Sequence, residues 1–267
     1  MIVWINGVSA TLLAASDRAV QYGDGSFTTA RIVAGNIQHL AGHLARLKTA
    51  SQRLMIDGVD WNALEVEMIQ AASLRGEGVL KTIISRGEGG RGYSPQGCSS
   101  PTRIISVSGY PAHYHQWRQQ GVTLAQSPVA LSRNPLLAGI KHLNRLEQVM
   151  IRLHLDRTDA HEALVVDTSG MLIECCAANI FWRKGHDVFT PDLSDSGVAG
   201  IMRNHIISML AQSGVFTISV VRQSPETLQE ADEVIICNAL MPVLPVRQAD
   251  DWHFTSSQLY DFLHQVC

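Results

Sequence analysis

The 267-residue sequence contains no run of about 18 consecutive apolar residues, which excludes a membrane-spanning helix. It also contains no C-x-x-C pair, and its five cysteines (Cys98, Cys175, Cys176, Cys237 and Cys267) are an odd set, unlike the disulfide framework of a small secreted domain. A reducing, cytoplasmic compartment is expected. No cluster of five or more Lys or Arg occurs and the net charge is −3, so the phosphate neutralisation that drives nucleic-acid binding has no source here. Internal repeats and low-complexity segments are absent as well. What is present is 46% apolar and 17% charged residues, the balance of a chain that buries a core and does not remain disordered. The length fits two ordinary domains, and the expected partner is a small molecule.

The opening stretch, Met1-Ile-Val-Trp-Ile-Asn-Gly7, has no basic n-region and breaks at Asn6-Gly7. It reads as a strand entering a tight turn and not as a secretory signal. A second hairpin is expected from Phe27 to Leu40 about Ala34-Gly35-Asn36, followed by a helix over 41–55 and another capped by Asp60. Strand-like runs follow at Gly78–Ser85 and Arg103–Ser108, then a proline-bearing polar and aromatic stretch, Tyr110–Trp117. That stretch places a small N-terminal α+β domain at 1–110, a connection at 111–120 and a larger C-terminal domain at 121–267. The larger domain is expected to hold strands at 122–126, 233–237 and 243–247, helices at 144–155 and 200–212, and a hairpin about Ser169-Gly170. Strands and helices do not alternate regularly, so the class is α+β, without the pattern of a doubly wound sheet.

Gly87-Glu-Gly-Gly-Arg-Gly92 spells G-x-G-x-x-G after a strand, but Tyr93-Ser-Pro95 stops the helix that a dinucleotide site requires. A flexible loop presenting Arg86, Arg91 and Tyr93 is the better reading. His39 and His43 have metal-ligand spacing without a third ligand or the Glu of H-E-x-x-H, so no metal is expected. Lys141 lies where an apolar strand end meets a helix start. An ammonium is costly to bury there, and covalent capture of a carbonyl would remove the cost. Glu174 follows the apolar Met171-Leu-Ile173 run and needs a cationic or protonated partner. Gly200-Ile-Met-Arg203 opens a helix whose first N–H groups suit a phosphate.

Together, Arg46, Lys141, Glu174 and the Gly200 turn resemble the D-amino acid and branched-chain aminotransferase superfamily, the fold-type IV pyridoxal phosphate enzymes. The resemblance spans essentially the whole chain. It implies a two-domain α+β fold, homodimerisation and pyridoxal 5′-phosphate as cofactor. Lys141 would form its Schiff base, Glu174 would pair with the pyridine nitrogen, and Arg46 with the N–H groups of Ile201 and Met202 would bind its phosphate. Asn238 and Ala239 would complete the phosphate cup, with Ala177 also against the cofactor. Ala239 stands where the aminotransferases have Thr or Ser.

Within the superfamily, the segments Ser16–Gly25, Ser85–Tyr93, Gly139–Gln148 and Ile236–Val243 resemble the branch that converts 4-amino-4-deoxychorismate to 4-aminobenzoate and pyruvate in folate synthesis. Arg86, Arg91, Tyr93 and Tyr110 are the expected substrate contacts, since two carboxylates call for paired cations. The alternatives are an aminotransferase for D- or branched-chain amino acids and a non-catalytic protein binding an acidic metabolite.

Overall fold

The computed structural model describes residues 2–265, and Cys267 lies outside the described residues. The chain divides into two compact units, Met1–Pro111 with Ile140–Asn144, and Ala112–Gly139 with Arg145–Cys267.

In the first unit, β1 (Ile2–Ile5) and β2 (Val8–Ser9) meet at Asn6-Gly7, whose φ angles of 50° and 80° are those a two-residue hairpin turn demands. After them come α1 (Arg18–Tyr22), β3 (Gly25–Val33), β4 (Asn36–Ile37), α2 (Leu40–Arg53), α3 (Trp61–Ser73), β5 (Glu77–Ser85) and β6 (Thr102–Ser108). The strands form one antiparallel sheet in the order β2-β1-β6-β5-β3-β4. Leu44 and Leu47 of α2 and Leu64 and Met68 of α3 bury against Ile32, Leu80, Ile84, Ile105 and Val107 of that sheet. As the sequence predicts, Asp60 caps α3, its carboxylate accepting the Ala63 N–H at 2.9 Å. Strand β4 is shorter than expected because His39 turns left-handed (φ 54°) and α2 begins at once.

The lysine-bearing segment Ile140–Asn144 belongs to this first unit, a correction to its expected place in the C-terminal domain. The reason lies in its backbone bonds. Phe27 N–H donates to the Lys141 carbonyl at 2.9 Å and Leu143 N–H to the Gly25 carbonyl at 3.0 Å, which adds the segment to the start of β3.

The second unit begins with α4 (His113–Gln120), so most of the expected connection is helical. Its aromatic residues account for that: His113, Tyr114 and Trp117 pack ring to ring, and Trp117 meets His161 edge-on at 5.2 Å. Next come β7 (Val122–Gln126), α5 (Leu146–Leu155), β8 (Glu162–Val166), β9 (Leu172–Cys175), β10 (Asn179–Lys184) and β11 (Asp187–Pro191). The unit ends with α6 (Ile201–Ser213), β12 (Thr217–Val221), β13 (Glu233–Cys237), β14 (Leu244–Ala249), β15 (Trp252–His253) and α7 (Gln258–His264). A mixed sheet runs β12-β11-β10-β13-β14-β7-β8-β9, with β15 paired to β14. One register matters most for the site: Asn179 of β10 stands opposite Cys237 of β13, which brings the residues just before β10 beside those just after β13.

The other end of that strand pair is fixed by a buried charge network. Arg183 and Glu233 are 4% and 1% exposed and meet at 3.1 Å, while Glu233 also accepts the N–H groups of Leu259 and Tyr260 at the start of α7. Removing Glu233 takes the acceptor from two N–H groups and the buried carboxylate from Arg183, whose remaining partners are Asp232 at 3.3 Å, the Ser256 hydroxyl and the Gly185 carbonyl. Glu233→Ala is therefore expected to lower unfolding stability by about 3–5 kcal/mol in denaturant titration. A loss below 1 kcal/mol would show that the network holds nothing.

Candidate active site

In the first unit, position 25 requires glycine, because a Cβ there would overlap the Ile84 carbonyl of β5 and press on the Leu143 side chain of the Ile140–Asn144 segment. Asn144 secures the far end by donating to the Gly23 carbonyl at 3.1 Å. Between these anchors, the half-buried Lys141 places Nζ 4.9 Å from the centre of the Phe27 ring, an aromatic face that favours a cation. Arg46 projects from α2 one turn beyond His43. His43 is fully buried, shares a 2.6 Å hydrogen bond with Thr28, and is pushed down to about 3 by burial and by the charges of Arg46 and His39. It stays neutral at physiological pH beside Arg46. His39 caps the helix in left-handed backbone, so the two imidazoles do not share a helical face. Among the described residues no group of three or more His, Cys, Asp or Glu is arranged to hold a metal ion.

In the second unit, Glu174 on β9 is 5% exposed, and its Oε2 accepts the Val198 N–H at 2.8 Å. The Val198 carbonyl accepts from Asn179 Nδ2 at 3.0 Å. Asn179 in turn sits against Gly200, the residue before α6, where any Cβ would overlap its side-chain oxygen. One short chain of contacts thus ties Glu174 to the start of α6. That helix opens with Ile201 and Met202, with no side-chain cap and no acidic residue in its first turn. Its leading N–H groups and the positive end of its dipole suit a phosphate. Ala177 and Asn238 meet as the register requires, Asn238 Nδ2 donating to the Ala177 carbonyl at 2.9 Å. Asn238 Oδ1 accepts from Leu240 and Met241, so this side chain shapes the turn that presents Ala239.

Sequence reasoning offered the ring nitrogen of the cofactor as the partner of Glu174 and named no cationic side chain. Arg145 is close enough for its charge to act on Glu174: burial pushes its guanidinium below its ordinary range, and the charges of Glu174 and Glu147 oppose the shift.

The loop after β5 differs from the flexible segment expected. Arg86 is committed to the fold, donating to both oxygens of Asp24 at 2.7 and 3.1 Å and to the carbonyls of Leu54 and Met55 at 2.8 and 2.6 Å. Arg18, which sequence reasoning missed, is 4% exposed and donates to the carbonyls of Gly92, Tyr93 and Ser94 at 3.1–3.3 Å while bound to Asp24. The loop is thus pinned at its middle, with no helix after the glycines. Arg91 and Tyr93 are exposed at its tip, and the Tyr93 ring lies 5.6 Å from Tyr22. Tyr110 takes the guanidinium of Arg31 on its ring at 4.5 Å. Arg31 lies four residues along β3 from Phe27, roughly 13 Å at strand spacing.

Residues 25–249 match the model of the amino-transferase class IV family, and the chain belongs to that family. Within it, the chain is 40% identical to the aminodeoxychorismate lyase of Vibrio harveyi, over 91% of this chain and 89% of that protein. It superposes on the crystal structure of 4-amino-4-deoxychorismate lyase from Pseudomonas aeruginosa with a TM-score of 0.92 and 38% identity, covering 98% of each chain. The branched-chain amino acid aminotransferase of Escherichia coli shares the fold, with a TM-score of 0.86 at 20% identity over 99% of this chain and 92% of that one.

The hold of Arg18 on the loop yields a direct test. Arg18→Ala removes three carbonyl contacts at once, and limited proteolysis is expected to cut between Arg86 and Pro101 at least about tenfold faster than in the parent. Equal cutting rates would show that the loop is held by other means.

Proposed function

We propose that this chain is a pyridoxal phosphate-dependent lyase that converts 4-amino-4-deoxychorismate to 4-aminobenzoate and pyruvate, a step of folate synthesis. The observation that carries the reading is the near-full-length similarity to lyases with this printed activity, in a chain that also has a lysine and a buried carboxylate suited to the cofactor. The residues fit that cofactor. An amine is needed to hold its aldehyde, an anion to face its ring nitrogen and N–H donors to take its phosphate; Lys141, Glu174 and the uncapped start of α6 are of those kinds.

When bound, pyridoxal phosphate supplies a protonated pyridine ring that accepts the electron pair freed as the substrate loses its C4 proton. Glu174 would keep that proton on the ring nitrogen, because a carboxylate held out of water stabilises a cation beside it. Ile201 and Met202 would hold the phosphate with their N–H groups, and Arg46 would supply a cation for it. Lys141 Nζ would hold the cofactor aldehyde. As a free amine it would take the C4 proton of the substrate and would serve as the acid that returns a proton to the methylene of the departing enolpyruvate, which becomes pyruvate. Aromatisation of the substrate ring drives the elimination forward.

Arg91 and Tyr93 at the loop tip, with Tyr110, are the candidates for binding the substrate, while Arg86 is engaged by Asp24 and the Leu54 and Met55 carbonyls. We read the enzyme as a homodimer. The support is a stripe on α5 in which Leu146, Val149, Met150 and Leu153, at helical spacing, are 47–79% exposed. A cytoplasmic setting is supported by the free thiols of Cys98, Cys175, Cys176 and Cys237.

Product analysis tests the reading. Purified holoenzyme given 4-amino-4-deoxychorismate should release 4-aminobenzoate and pyruvate in equal amounts, and Lys141→Ala should reduce turnover at least about a thousandfold. Rapid amino-group transfer from a D- or branched-chain amino acid, with no 4-aminobenzoate formed, would overturn it in favour of an aminotransferase.

A further inference from the structure

Glu162, the first residue of β8, is a buried carboxylate that no step above uses; it is 5% exposed. Its two oxygens are spent on backbone. Oε1 accepts the Ala163 N–H and Oε2 the Ala177 N–H, each at 3.0 Å. Ala177 belongs to the turn of residues 176–178 that joins β9, which carries Glu174, to β10, which begins at Asn179. The carbonyl of the same residue accepts from Asn238. The Ala177 residue is therefore gripped on both sides, by a carboxylate at its N–H and by an amide at its C=O.

The turn is closed by the Cys175 N–H donating to the Ala178 carbonyl at 2.7 Å and tied to β8 by the Cys176 N–H donating to the Ala163 carbonyl at 3.2 Å, which leaves the Ala177 N–H at its tip to be held by a side chain. Its sequence is Cys-Ala-Ala, and the Cys176 thiol reaches away to the Gln148 carbonyl on α5. Burial pushes that thiol up to about 12, so it contributes no thiolate charge. Glu162 is the acidic side chain that reaches the turn, at a cost. Burial pushes its carboxyl up to about 7 against the pull of its N–H donors and of Arg152. A costly buried acid is offset only by what its bonds hold in place, and here they hold the link between Glu174 and the Asn238 turn.

We propose that Glu162 is a positioning residue of the cofactor site: by anchoring the Ala177 N–H it fixes the 176–178 turn and, through Asn238, sets the backbone at Ala239 that meets the cofactor. The proposal rests on the pyridoxal phosphate reading above. It is distinct from the roles of Glu174 and Lys141, since Glu162 acts only through the turn.

The test compares parent, Glu162→Gln and Glu162→Ala as full-length proteins. Glu162→Gln keeps the shape and one acceptor oxygen but turns the other into a donor, so one N–H loses its partner. Cofactor affinity is measured by titrating pyridoxal 5′-phosphate against its visible absorption band, and backbone exchange is followed by hydrogen–deuterium mass spectrometry. In Glu162→Gln the affinity should fall about tenfold. Exchange should quicken in peptides covering 176–178 and 238–241, with α2 and β5 of the first unit unchanged. Glu162→Ala should show the same pattern more strongly, and if it fails to fold, Glu162→Gln decides alone. Parental affinity and exchange in Glu162→Gln would overturn the proposal, as would acceleration spread evenly over the whole chain. A parent protein that forms no visible band would instead overturn the cofactor reading on which the proposal stands.

Discussion

The buried carboxyl of Glu174 is the constraint that ties together the contacts running from β9 to α6. A carboxylate at 5% exposure carries a large desolvation cost, and the Val198 N–H donated to it at 2.8 Å offsets part of that cost. Arg145 supplies a cationic neighbour within the same unit, and the proposed role adds the protonated ring nitrogen of the cofactor. The same carboxylate orders its surroundings. Val198 links it to Asn179, Asn179 fills the space that Gly200 leaves, and α6 starts from there. Glu174 and the N–H donors at the start of α6 are therefore set by one continuous set of contacts.

The first unit contributes a lysine held by main-chain bonds. Phe27 and Gly25 of β3 bond to Lys141 and Leu143, and glycine at position 25 leaves room for the Leu143 side chain and for the β5 backbone at Ile84. A side chain on a segment secured in this way is held in a restricted orientation, which suits the two tasks proposed for Lys141.

Features governed by local chemistry were legible in the sequence. Asp60 caps a helix, Asn6-Gly7 turns a hairpin, and a charge inside an apolar run singles out Lys141 and Glu174 for attention. What was not legible depends on partners distant along the chain. Arg86 reads as a free loop cation until Asp24, 62 residues away, is seen to hold it. Arg18 carries no motif, yet it binds carbonyls 74–76 residues further on. Asn179 and Glu162 meet their partners, the Val198 carbonyl and the Ala177 N–H, only in the folded chain, which composition and periodicity do not reveal. Sequence adjacency assigned Lys141 to the second domain, whereas its backbone hydrogen bonds place it in the first unit.

The charge of Glu174, as distinct from its shape, is the central claim, and Glu174→Gln separates the two. Glutamine keeps an oxygen for the Val198 N–H, so fold and cofactor content should remain near those of the parent. Without the charge the ring nitrogen no longer keeps its proton, and kcat for release of 4-aminobenzoate should fall about a hundredfold or more. A Glu174→Gln enzyme with bound cofactor and a kcat within twofold of the parent would contradict the account.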